Sequence, residues 1–178
     1  RPSHPHLMSS AGAPESTWEL DRPAERDWSL DRERALRLWI VLARSYATFA
    51  REVAGKVSEY GLTVPQFGIL EALYHLGPLS LGELAEKLLV TGGNVTYVMD
   101  RLEEQELVYR ERSPEDRRVV QAKLTPKGHR LIADVFPGHG EFIEDLCSEL
   151  GAEEQERLRF LLKKLGVGIR NREEEQDP

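Results

Sequence analysis

Residues 91–128, TGGNVTYVMDRLEEQELVYRERSPEDRRVVQAKLTPKG, hold the pattern that decides the fold. Val95, Val98, Met99 and Leu102 recur at steps of three and four, which predicts a helix with one apolar face turned to a core. The period then changes. Residues 107–112 and 119–124 read as two short strands joined by the charged turn SPEDRR, with Pro114 tightening it. Thr125-Pro126 is a helix start, with proline where a missing N–H costs little. A helix leading into a hairpin with two arginines at its tip suits a DNA duplex. The helix fits the major groove, and a thin hairpin carrying arginine can reach the neighbouring minor groove.

Upstream, Ser80-Leu81-Gly82-Glu83 has the spacing of a capping box and opens a short helix over 81–88. The next helix starts near Thr91, a natural N-cap. A short helix, a tight turn and a longer helix make a helix-turn-helix. Gly92 and Gly93 fall in the first turn of the second helix, where they let the backbone approach DNA closely. Earlier still, Leu36, Trp39, Ile40, Ala43, Ala47, Ala50, Val53 and Val57 mark a long helix over 31–59, stopped by Gly61. Thr63, Pro65 and Gln66 open the following helix, which carries Phe67, Ile69, Leu70 and Leu73 and ends before Gly77-Pro78.

Downstream, a long helix runs from Thr125-Pro126 to about Leu150, with Pro137-Gly138 expected to kink or interrupt it and Gly151 to break it. The last helix, from Ala152 to about Arg172, carries the stripe Leu158, Leu161, Leu162, Leu165 and Ile169. The expected class is mainly α with a small β-hairpin. Residues 1–30 read as a polar, disordered arm, 31–60 and 125–172 as a helical dimerisation region, 61–124 as the helix-turn-helix and hairpin, and 173–178 as an acidic tail.

The chain has 178 residues and a net charge of −7, which at first argues against a nucleic-acid partner. The distribution answers the objection. Residues 109–130 hold seven Lys/Arg against three Asp/Glu, while residues 131–178 hold six against twelve. A basic hairpin on an acidic body can bind phosphate, because screening limits each field to about 8 Å in physiological salt. A merely solvated surface is the other reading of such a cluster. The single cysteine, Cys147, excludes an internal disulfide framework and fits a reducing cytoplasm. No run of 18 apolar residues is present, so no membrane span is expected.

The stretch VMDRLEEQELVYRERSPEDRRVVQAKLTPKG resembles the MarR family of winged helix-turn-helix transcription regulators, in its D-R-R hairpin tip (Asp116, Arg117, Arg118) and its L-T-x-x-G exit (Leu124 to Gly128). GLTVPQFGIL, residues 61–70, resembles the family's second helix, and the resemblance spans roughly residues 31–172. It implies a homodimer built from the terminal helices, facing double-stranded DNA with a pseudo-palindromic operator. It also implies a repressor released by a small aromatic or phenolic effector.

On that basis the DNA-facing set is Thr91, Gly92, Gly93, Asn94, Thr96, Tyr97, Arg101, Asp116, Arg117 and Arg118. Asn94 can pair with adenine or serve only as a cap partner, Thr96 can touch a thymine methyl, and Tyr97 and Arg101 can reach the backbone. Asp100 resembles a structural acid that pairs with a nearby arginine. In the family pattern one D-R-R arginine enters the minor groove while the aspartate holds an arginine, and which of Arg117 and Arg118 does which stays open. An effector wall of Trp39, Ala43 and Tyr46 with Phe67, Gly68 and Glu71 is expected, although Trp39 and Phe67 fit a plain core equally well. Cys147 reads as a small buried apolar residue in the dimer helix. There is no P-loop, dinucleotide or nucleophile-elbow motif, and no metal-ligand spacing, so neither catalysis nor a cofactor is expected. The alternative function is a winged-helix module that only dimerises or contacts protein. The two tip arginines speak against it.

Overall fold

The computed structural model of the chain describes residues 29–88, 91–113 and 116–174. The elements run α1 (Leu30–Glu59), α2 (Val64–Leu76), β1 (Leu79–Ser80), α3 (Leu81–Leu88), α4 (Gly92–Glu104), β2 (Val108–Arg112), β3 (Val120–Leu124), α5 (Pro126–Leu146) and α6 (Ala152–Glu174). The expected arm lies almost wholly outside the described residues, as do the last four residues of the expected acidic tail. Packing divides the chain into two units, 1–50 and 51–178.

In the first unit, α1 starts on Ser29, whose hydroxyl accepts from the Arg32 N–H at 3.3 Å and whose carbonyl accepts from Glu33. This satisfies donors that the first helical turn leaves without partners. Leu36, Leu38, Trp39, Val41, Tyr46 and Phe49 are exposed along it.

The second unit holds the core. Val57, Phe67, Ile69, Leu70, Leu73, Leu84, Val95, Met99, Leu102, Val108, Ala122 and Ile132 are buried together, with Val53, Val135 and Phe136 packed against them. The last turns of α1 and the first half of α5 therefore share a core with the helix-turn-helix. α1 closes with paired bonds, Leu62 N–H to Val57 and Gly61 N–H to Ser58, around Gly61 at φ +73. The predicted box on Thr63 and Gln66 is present in both directions. So is the one on Ser80 and Glu83, where the serine's N–H and hydroxyl bonds hold the Glu83 carboxyl below its ordinary value.

At three points the structure adds to the expectations or departs from them. The hairpin is part of a three-stranded antiparallel sheet, ordered β1-β3-β2, because Leu79 and Ser80 pair with Ala122 and Gln121. α5 runs through Pro137 without interruption. Proline removes one N–H there, and the flanking turns keep the helix going. α5 then ends at Leu146 rather than about Leu150, so Cys147 is not inside the helix but caps it, half-buried. α6 begins after Gly151 as expected and extends to Glu174, two residues past the expected end.

Candidate nucleic-acid interface

α4 is held by its ends. Thr91 is the N-cap, its Oγ1 accepting from the Asn94 N–H at 3.4 Å. At the other end Glu106 takes φ +58, a conformation that favours glycine. The Glu106 N–H bonds the Glu103 carbonyl and the Leu107 N–H bonds that of Leu102, the paired closure that turns the chain into β2. The start of α5 locks this turn. The Thr125 hydroxyl donates to the Glu106 carbonyl at 2.7 Å, its N–H to that of Leu107 at 3.0 Å, and Lys127 Nζ to that of Gln105 at 2.8 Å. Gly128 lies so close that an added Cβ would stand 2.0 Å from the Leu107 oxygen.

With its ends fixed, α4 divides cleanly. Val95, Val98, Met99 and Leu102 are buried, as the period predicts. Thr91, Gly92, Gly93, Asn94, Thr96, Tyr97 and Arg101 are all exposed. The Thr96 hydroxyl donates back to the Gly92 carbonyl at 3.1 Å, which leaves its methyl as the outward group. Tyr97 is 59% exposed, and the Arg101 guanidinium lies 5.3 Å from its ring centroid. Arg101 also donates to Glu104 at 2.7 Å, and this bond together with Tyr97 strengthens its hold on its proton. A Cβ on Gly92 or Gly93 would meet no heavy atom within 4 Å, so the protein itself does not require glycine there.

At the hairpin tip the aspartate behaves differently from the expectation. Asp116 Oδ1 accepts from the Arg118 backbone N–H at 2.9 Å, so its bond shapes the turn instead of holding an arginine side chain. Arg112 braces the tip by donating to the Arg117 carbonyl at 2.7 Å. Arg117 and Arg118 are exposed, and neither is ion-paired among the described residues. The acids behind the tip are engaged: Glu111 with Lys123 at 2.6 Å, Asp100 with Arg110 at 2.8 Å, and Glu103 with Arg110. The expected partner of Asp100 is therefore Arg110, which the sequence reading did not single out. Two acids three residues apart on one helix face were the available signal.

The expected effector residues are placed as follows. Trp39 is 63% exposed, Tyr46 is exposed and Ala43 is half-buried on α1. On α2, Phe67 is buried, while Gly68 and Glu71 are half-buried. Phe67 belongs to an aromatic group in the second unit, 4.5 Å from His139 and 6.0 Å from Tyr60 by ring centroids. His139 Nδ1 and Tyr60 Oη are buried without a hydrogen-bond partner among the described residues. Gly68, Glu71, Ala72, His75, Leu76, Lys87 and Leu88 line an open groove of about 400 Å³. Among the described residues no group of three His, Cys, Asp or Glu could hold a metal, and no helix is long and apolar enough to cross a membrane.

The MarR family model matches residues 62–120, the span from the start of α2 into β3. The HTH-type transcriptional regulator MhqR of Bacillus subtilis is 39% identical over 138 residues, covering 78% of this chain and 95% of that protein. The chain belongs to the MarR family. Among solved structures, a mutant MarR of E. coli complexed with operator DNA aligns at TM-score 0.67 and 27% identity, covering 78% of this chain and 99% of that one. BpsR of Bordetella bronchiseptica, whose DNA binding is regulated by 6-hydroxynicotinic acid, aligns at TM-score 0.65 and 26% identity, over 73% and 98%. The α3–α4 pair and the β2–β3 hairpin are thus the helix-turn-helix and wing of a DNA-binding transcription regulator.

Proposed function

We propose that the chain is a homodimeric repressor that reads a pseudo-palindromic operator. In this reading α4 lies in the major groove and the wing in the adjacent minor groove. The observation that carries it is the exposed row Asn94, Thr96 and Tyr97 on α4, together with the bare arginines 117 and 118 at the wing tip. Asn94 offers its amide to a base edge, Thr96 offers its methyl, and Tyr97 and Arg101 face the phosphates. Arg101 would leave Glu104 to do so. Gly92 and Gly93 let the backbone N–H groups at the start of α4 close on a phosphate.

Dimerisation is supported by α6, where Leu158, Phe160, Leu161, Leu162, Leu165 and Ile169 are exposed in a single copy. A second copy is the fitting cover, since a two-fold dimer presents two recognition helices to two half-sites.

The proposed release signal is a small aromatic or phenolic molecule. Phe67, with the unsatisfied Tyr60 hydroxyl and His139 imidazole beside it, supports an aromatic ligand that carries a hydrogen-bonding group. The test is a gel shift with DNA upstream of the chain's own gene, repeated while salicylate-like phenolics are titrated and tryptophan fluorescence is followed. A shift on that DNA but not on a scrambled duplex, weakened by a phenolic, is the expected result. Equal binding to both duplexes overturns the operator reading. Unchanged binding with every phenolic overturns the effector reading alone.

A further inference from the structure

We propose that Arg110 is a positioning residue for operator recognition, a single side chain that fixes the angle between wing and recognition helix. Arg110 stands on β2 and reaches three groups on α4. Its Nη2 donates to Asp100 Oδ1 at 2.8 Å and to the Thr96 carbonyl at 3.2 Å, and its Nη1 donates to Glu103 Oε2. Thr96 is the residue whose side chain faces outward from the same turn. The guanidinium therefore grips the backbone of the very turn that is offered to DNA.

The grip extends to the wing tip. Two residues along β2, Arg112 holds the Arg117 carbonyl at 2.7 Å. Turning the wing against α4 would break three bonds converging on one rigid fork. Only 23% of the Arg110 side chain is exposed, which fits a brace better than a phosphate contact. It also offsets one of the two negative charges of Asp100 and Glu103, carboxylates that would otherwise stand unpaired beside an anionic duplex. Lysine can supply the charge but not the fork, so the two roles are separable.

The inference rests on the DNA-binding reading, and the experiment keeps the two apart. In the full chain, Arg110→Lys is titrated against the operator duplex and a scrambled duplex across a salt series. Operator affinity is expected to fall about tenfold, which corresponds to the loss of a geometric contact. Affinity for the scrambled duplex and the slope of affinity against salt should stay as in wild type, because no phosphate contact is lost. The charge-balanced double variant Arg110→Met with Asp100→Asn should behave alike, and it carries the test if the lysine variant does not fold. Unchanged operator affinity in both variants overturns the proposal. So does an equal fall on both duplexes with a shallower salt slope, which would make Arg110 a phosphate ligand, or loss of folding in both variants. A wild-type chain that does not distinguish the duplexes contradicts the DNA-binding reading instead.

Discussion

Two glycines in the L-T-x-x-G exit and the α4 start have opposite meanings at the scale of one residue. Gly128 has no room for a methyl group, because the offending atom is a backbone carbonyl that already accepts from Thr125. Gly128→Ala should destabilise the fold by about 3 kcal/mol, at the upper end of overpacking costs, in urea unfolding. An unchanged midpoint would show that the α4–β2–α5 joint yields. Gly92 is open on every side. Gly92→Ala should leave stability unchanged or raise it by up to about 1 kcal/mol, while weakening operator binding if the DNA backbone approaches there. Operator binding that stays at the wild-type value would remove Gly92 from the interface.

His139 is the other informative residue. It is 7% exposed, and burial lowers its pKa from the ordinary 6.5, partly countered by Glu71 and reinforced by Lys56. The folded state thus binds fewer protons than the unfolded chain. Its contribution to stability is complete above about pH 6.5 and is lost as pH falls through the lowered folded value. Unfolding midpoints should drop between pH 7.5 and 5.5, and His139→Phe should flatten that drop. An equally steep drop in the variant would place the titrating group elsewhere.

The elements that were legible in the sequence are those with local causes. Capping boxes on Thr63 and Ser80, the glycine stop at 61 and the buried stripe of α4 each depend on residues within one or two turns, and each is observed. What was not legible depends on distant partners. β1 has two residues and exists because β3 passes beside it, with Ser80 paired to Gln121 and Leu79 to Ala122 from far along the chain. Arg110 lies 14 residues from Thr96, and nothing in β2 itself marks it as the clamp. The role of Asp116 is not legible in detail because an aspartate two residues before a backbone N–H makes the turn bond on its own. The wing carries its own prediction. Arg117→Ala with Arg118→Ala should weaken operator binding by at least about 2 kcal/mol and flatten the salt dependence, with the chain still folded. Wild-type affinity in that double variant would show that the tip does not touch DNA.

At the scale of the whole molecule, a net charge of −7 has to coexist with DNA binding. Local pairing explains how. Acids near the interface are engaged by Arg110 and Lys123, while the tip arginines are not ion-paired, so positive charge is left where the duplex is expected. The acidic residues are concentrated after residue 130, beyond the wing. The exposed apolar residues of α6 are the surface that the proposed homodimer would cover, and a second copy there would turn one recognition helix into two with a fixed separation. Leu161→Glu with Leu165→Glu should convert the proposed dimer to a monomer in sedimentation and abolish operator binding, though neither residue belongs to the proposed DNA-facing surface. A dimer that persists would move the interface off α6.

The deciding experiment places five extra base pairs between the two half-sites of the operator. That insertion turns one half-site about half a helical turn away from the other. A symmetric dimer with two rigid reading heads should then bind no better than it binds scrambled DNA, while each protein–DNA complex on the native spacing contains two chains. Undiminished affinity for the expanded site would contradict the paired, two-headed reading on which the proposed function rests.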